Sequence, residues 1–243
     1  AMADRRTPNA APVLLDALKD SESAVREEAL NALGVLGAEK ELPVVVDFLV
    51  GSPPPSELDT AEKALIEMAR RMPADPSPST LIMARIPPTA TVGVQCAVMH
   101  VMGAIADPAA LAAVRTTLRE TTLGDVRDAA VRMLADWPTV DALDDLYGVA
   151  KDSPHDLHRV LALRGYLRLL ALPSERPVPE TLDGYRKGLE LARQPDERKQ
   201  ALAGLATIAD PQALDMVSAY FGDEDVRMEA ASAALTIAGA IAT

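Results

Sequence analysis

The chain has 243 residues, of which 36 are acidic and 24 basic for a net charge of −12, and its hydrophobic share of 49% contains only one Trp, four Tyr and two Phe. The acidic balance excludes a general grip on nucleic acid, and no apolar run of roughly 18 residues exists to cross a membrane. A single cysteine, Cys96, excludes an internal disulfide, and the length is enough to bury a sizeable core.

In chain order, Ala1-Met2 reads as the scar of a cleaved tag and is set aside. In Ala24-Val25-Arg26-Glu27-Glu28-Ala29-Leu30-Asn31-Ala32-Leu33-Gly34 and the residues after it, apolar side chains fall at 25, 29, 32, 33 and 36, one face of a helix. Gly51-Ser52-Pro53-Pro54-Pro55-Ser56 is a stiff, extended stretch before a second helix around 60–71. Ile86-Pro87-Pro88-Thr89 plays the same part before a helix over 94–105. Ala106-Asp107-Pro108 starts the next helix, with Asp as cap and Pro in the first turn. Asp125-Val126-Arg127-Asp128-Ala129-Ala130-Val131-Arg132-Met133-Leu134 then copies the first segment.

Pro138 opens another first helix, and His158-Arg159-Val160-Leu161-Ala162-Leu163 is a weaker copy of the second. The prolines at 173, 177 and 179 rule out a continuous helix, so 172–179 is a joint inside the array, with Pro179 opening the following helix. Arg198 lies in the next copy, Ala209-Asp210-Pro211 repeats the capped turn, and Asp225-Val226-Arg227 begins the last copy. Aligned on the arginine slot, the markers stand at 26, 61 (Ala61), 95 (Gln95), 127, 159, 198 and 227, so the spacings are 35, 34, 32, 32, 39 and 29. Seven units of two helices fit the length, and no alternating pattern suggests a strand. A helix pair cannot bury its apolar face alone, so the pairs must stack. The expected fold is all-α, a right-handed α-α superhelix (an α-solenoid) of about seven helix pairs, forming a single array over residues 3–243.

The Asp/Ser turn, then Val-Arg, then Ala, then Ala-Leu-Gly, as they stand in residues 20–37, resemble the HEAT family in its short form known from phycobilisome-lyase-type repeats. The ankyrin turn Thr-Pro-Leu-His and the tetratricopeptide pattern of Trp, Leu-Gly and Tyr are absent. The resemblance covers nearly the whole chain and is weakest in units two and three, where the arginine is lost. It implies a non-catalytic scaffold for protein–protein contact, with the second helices lining a concave groove. The stretch from Val160 to Leu214 is similar to HEAT segments of large multidomain bacterial proteins that carry a secretion signal and a sugar-hydrolase-like or cytochrome-like module. That similarity implies a piece of a larger bacterial protein, favours an extracytoplasmic site over a cytoplasmic one, and makes another domain of the parent chain a candidate partner. Two other readings come by resemblance alone: a HEAT-like DNA glycosylase, which the acidic charge and scarce aromatics oppose, and a tetrapyrrole lyase or chaperone.

The recurrent arginines Arg26, Arg127, Arg159, Arg198 and Arg227 are expected to bond carbonyls or a carboxylate of the neighbouring unit, as a structural ladder. His155 with His158, and Cys96 with His100, have helix-face spacing but fall short of the three or four converging ligands a metal needs. Single carboxylates read as solvated surface. No phosphate loop, nucleophile elbow or His-Glu-x-x-His pattern is present. The expectation is therefore no metal, no cofactor and no catalysis by this segment. If slots 25, 29, 33 and 36 face the core, slots 27, 31 and 35 face away. Slot 31 holds Asn31, Ile66, His100, Arg132, Arg164, Ala203 and Ser232; slot 35 adds Arg70 and Arg168, and also Asp136. Arg70, His100, Arg132, Arg164 and Arg168 are thus the candidate groove residues, for an acidic partner segment. Pairing of these arginines with Asp128 or Asp136 inside the chain is the competing reading.

Overall fold

The computed structural model of the chain describes residues 10–242; the expected tag scar at Ala1-Met2 lies outside them. All regular elements among the described residues are helical, and they come in seven pairs. The pairs are α1 (Ala10–Ala17) with α2 (Ser23–Leu36), α3 (Leu42–Val50) with α4 (Pro55–Ala69), α5 (Pro78–Met83) with α6 (Val92–Ile105), and α7 (Pro108–Glu120) with α8 (Gly124–Ala135). Then follow α9 (Leu143–Asp152) with α10 (Asp156–Leu170), α11 (Val178–Leu191) with α12 (Pro195–Leu205), and α13 (Pro211–Ser218) with α14 (Arg227–Ile241). A short 3₁₀ turn, Val140–Ala142, precedes α9. The chain forms two compact units, one ending at Met133 and one beginning at Leu134. In each, helix pairs stack in the manner of an α-solenoid: α2 against α4 and α4 against α6 in the first unit, α10 against α12 and α12 against α14 in the second.

The helix starts follow the capping signals. Asp107 accepts from the amide of Ala110, and Asp210 from that of Gln212, each ahead of a proline at the first helical position. Pro55 is the first residue of α4, so the extended stretch beginning at Gly51 ends two residues earlier than its composition suggests. A proline is tolerated there because that amide has no partner inside the helix.

The arginine slot sets the register of the second helices. The residues three and seven positions after it are buried in every pair: Ala29 and Leu33, Ala64 and Met68, Val98 and Met102, Ala130 and Leu134, Ala162 and Tyr166, Ala201 and Leu205, Ala230 and Ala234. The position four after it, outside the expected apolar set, is as deeply buried in six of the pairs: Leu30, Leu65, Met99, Val131, Leu163 and Leu202. Two core expectations fail in the first pair, where Val25 is 40% and Leu36 46% exposed. The neighbouring α1 has eight residues and none of them is buried, so it leaves these positions uncovered.

In the second unit Gly165 of α10 lies directly against the backbone of another helix. A Cβ there would stand 2.7 Å from the carbonyl oxygen of Ala135 and 2.8 Å from its Cα. The absence of a side chain is what lets these two backbones touch. Trp137 is buried just beyond Ala135. Tyr166 donates its hydroxyl to the carbonyl of Gly184 at 3.2 Å, and burial pushes its phenol up to about 12.

Candidate functional site

The arginines sort into those used inside the fold and those left at its surface. Arg26 donates through Nε to Glu57 at 2.8 Å and through Nη2 to the other carboxylate oxygen, reaching from one second helix to the start of the next. Its Nη1 takes the carbonyls of Asp20 and Ser21, in the turn before its own helix. Arg127 makes the equivalent turn contact, donating to the carbonyl of Thr121 at 2.7 Å. In the second unit Arg159 donates to Glu197 at 3.3 Å, while Arg198 lies 3.3 Å from Asp223 and 3.5 Å from Asp225. Arg26, Arg159 and Arg198 thus reach a carboxylate of the following pair, as expected of the ladder, whereas the Arg127 bond to Thr121 stays within its own pair. Arg227, in the seventh pair, is exposed.

The carboxylates that receive the ladder are the residues sequence reasoning missed. Taken as solvated surface, Glu57 and Glu197 are instead 1% and 0% exposed. Each is the third residue of a second helix that begins with proline, in Pro55-Ser56-Glu57 and Pro195-Asp196-Glu197. That position places a carboxylate over the free amides of the first turn, where the helix dipole favours negative charge. Glu197 accepts from the amides of Arg193 and Gln194 at 2.7 and 3.0 Å. The Arg26 guanidinium, with help from Ser23, holds the Glu57 carboxyl below the usual carboxylate range against the opposing effect of burial. A buried carboxylate needs such partners to remain charged. The signal available in the sequence was the recurring Pro-x-Glu one repeat after an arginine.

Two further arginines, one register position apart, cap the ends of second helices. Arg71 donates to the carbonyl of Gly37 at 3.0 Å, just past the end of α2. Arg168 donates to those of Ala135 and Trp137 at 3.0 and 2.6 Å, at the end of α8 and just past it. A cation is favoured at a helix C-terminus, where carbonyls lack intrahelical partners. Arg168, expected to face a groove, is therefore half-buried with its Nη2 committed to backbone oxygens.

The other candidate residues lie on second helices or, for Arg70, at the cap position just past the end of α4. In the first unit Arg70 is exposed and paired with Glu67 at 2.6 Å, one turn back on the same helix. His100 is half-buried, its Nδ1 3.1 Å from Glu62 Oε1. Arg132 is exposed and carries no ion pair among the described residues. In the second unit Arg164 is likewise exposed and without an ion pair among the described residues.

Glu62, with a lesser contribution from Asp59, raises the His100 imidazole above its ordinary value against the effect of partial burial. A raised folded-state value means the pair contributes stability that is full below the unfolded value near 6.5 and lost as pH rises through the folded one. An NMR titration of the His100 ring should therefore give a midpoint above 6.5, and Glu62→Gln should lower it. A midpoint unmoved by Glu62→Gln would show that the pair does not set the titration. Cys96, one turn before His100, has the opposite chemistry from a nucleophile. Burial and the carboxylates Asp125, Asp128 and Glu62 push its thiol up and away from the reactive thiolate.

Among the described residues no helix is long and apolar enough to cross a membrane, and no group of three or more His, Cys, Asp or Glu stands close enough to share a metal ion. A family model described as HEAT repeats matches residues 1–66. A comparison with curated proteins finds no match. HEAT repeats commonly serve as scaffolds for protein interaction and are generally non-catalytic. Residues 1–66, which span the first helix pair and most of the second, are thus similar to HEAT repeats, and all-helical pairs of the same kind continue through the described residues of both units.

Proposed function

We propose that the chain is a non-catalytic interaction scaffold in which the second-helix face of each unit, taken by itself, receives an acidic segment of a partner protein. The observation that carries this reading is the division among its arginines. Arg26, Arg159, Arg198 and Arg168 have their guanidinium groups committed within the fold, whereas Arg132 and Arg164 stand exposed with no ion pair among the described residues, in a chain of net charge −12. An exposed guanidinium retains its planar fork for a carboxylate from outside. Arg70 and His100 belong to the same face in the first unit and exchange their partners Glu67 and Glu62 for the incoming segment. Arg168 supports the face from behind by capping the preceding helix. The function needs no metal or cofactor, and reading residues 3–243 as one array rests on the register kept from Arg26 to Arg227.

The test is fluorescence titration of the whole chain with a glutamate-rich peptide and its glutamine counterpart. The glutamate peptide should bind, and its affinity should fall at least about tenfold between roughly 0.05 and 0.5 M salt, as contacts between exposed charges do. Equal binding of the two peptides would refute the proposal.

A further inference from the structure

Two helix pairs lack the arginine of this slot, and in the first of them α4 carries Ala61. At that slot α6 carries Gln95, whose Nε2 turns back to the carbonyl of Ala90 at 2.8 Å. Beside it lies a cavity of about 210 Å³ within the first unit. Its wall is formed by Met83, Ile86, Pro87, Val98, Met99 and Val126, with Gln95 and Thr117 as the polar members. Gln95 is shorter than arginine and its amide is folded onto its own turn, so the volume between α6 and the start of α8 is left unfilled. Among the described residues no charged side chain lines the cavity. A charged ligand would lose its hydration there without gaining a partner, whereas a neutral apolar one would displace poorly held water.

We propose that this cavity binds a compact, neutral, ring-shaped molecule that donates one hydrogen bond to Gln95 Oε1. One of the two amide hydrogens of Gln95 is used at Ala90, which fixes the amide, and its carbonyl oxygen is the acceptor offered to a ligand. An apolar cavity of about 150 Å³ accommodates benzene. A volume of about 210 Å³ therefore suits a ring system of indole size. This site is separate from the second-helix face proposed for a protein partner, and neither depends on the other.

Indole is the probe, added to the full chain at about 5 mM. It should shift the methyl signals of Met83 and Met99 and raise Tm by about 2–4 °C. Gln95→Arg restores the side chain that five other units carry; it should abolish both effects while leaving the free protein folded, with its Tm at or above that of the unsubstituted chain. Gln95→Leu keeps the space but removes the acceptor, so it should bind indole and N-methylindole equally, where the unsubstituted chain prefers indole. Unmoved methionine signals, or an indole response in Gln95→Arg equal to that of the unsubstituted chain, would overturn the proposal. If Gln95→Arg fails to fold, an indole preference that survives in Gln95→Leu would overturn it instead.

Discussion

Replacing Gly165 with alanine should destabilise the protein by about 3 kcal/mol, although alanine is the better helix former by about 1 kcal/mol. The added methyl would meet the backbone of Ala135, at 2.7 Å from its oxygen and 2.8 Å from its Cα. No rotamer relieves a clash with backbone, so one of the two helix segments must move. The carbonyl of Ala135 is also an acceptor for Arg168, and a displaced α8 terminus would lose that bond as well. Gly148, mid-way along α9, is the control, since a Cβ there meets nothing within 4 Å. Gly148→Ala should stabilise by roughly 0.5–1 kcal/mol, the ordinary gain at an open helical glycine. Urea unfolding of the two variants reads both values. A stabilised Gly165→Ala would mean that the helices do not approach as closely as described.

Glu197→Ala is the second large effect, a loss of about 3–5 kcal/mol. Removing the carboxylate strips Arg159, itself 4% exposed, of its buried charged partner, leaving only the solvent-exposed Asp156 at 3.9 Å, and leaves the amides of Arg193 and Gln194 without their acceptor. A buried cation with no counter-charge is the costly state, not the loss of the attraction by itself. Glu197→Gln retains an oxygen for the amides of Arg193 and Gln194 and removes only the charge, so it should cost clearly less than alanine. A double-mutant cycle with Arg159→Met separates the two contributions: the charge coupling disappears with Arg159, while the loss of the helix cap persists. Equal losses for Gln and Ala would place the whole effect in the charge pair.

These effects mark where the sequence was readable and where it was not. The arginine slot, the apolar spacing after it and the Asp-Pro turns are local signals, and each was enough to position a helix. Seven pairs could be counted that way, even though Ala61 and Gln95 replace the arginine in two of them. The ladder itself was legible because an arginine in an apolar register must find acceptors. Its acceptors were less so: nothing local distinguishes Glu57 from the exposed Glu67 of the same helix, because burial of Glu57 depends on a residue 31 positions earlier. Arg168 was misplaced for the same reason. A helical-wheel argument gives the direction of its Cα–Cβ bond, but a long flexible side chain can reach around to a neighbouring helix end. The approach of Gly165 to Ala135 likewise depends on tertiary packing that no periodicity reports.

The central claim is that exposed second-helix arginines, rather than the chain's charge in general, hold an acidic partner. The most direct measurement compares Arg132→Glu with Arg119→Glu by titration with the glutamate-rich peptide. Arg119 is exposed on the first helix α7 of the same pair, so both substitutions change the net charge equally. Arg132→Glu should weaken binding by about five- to tenfold, while Arg119→Glu should change it by less than about twofold. Equal weakening by the two variants would contradict it.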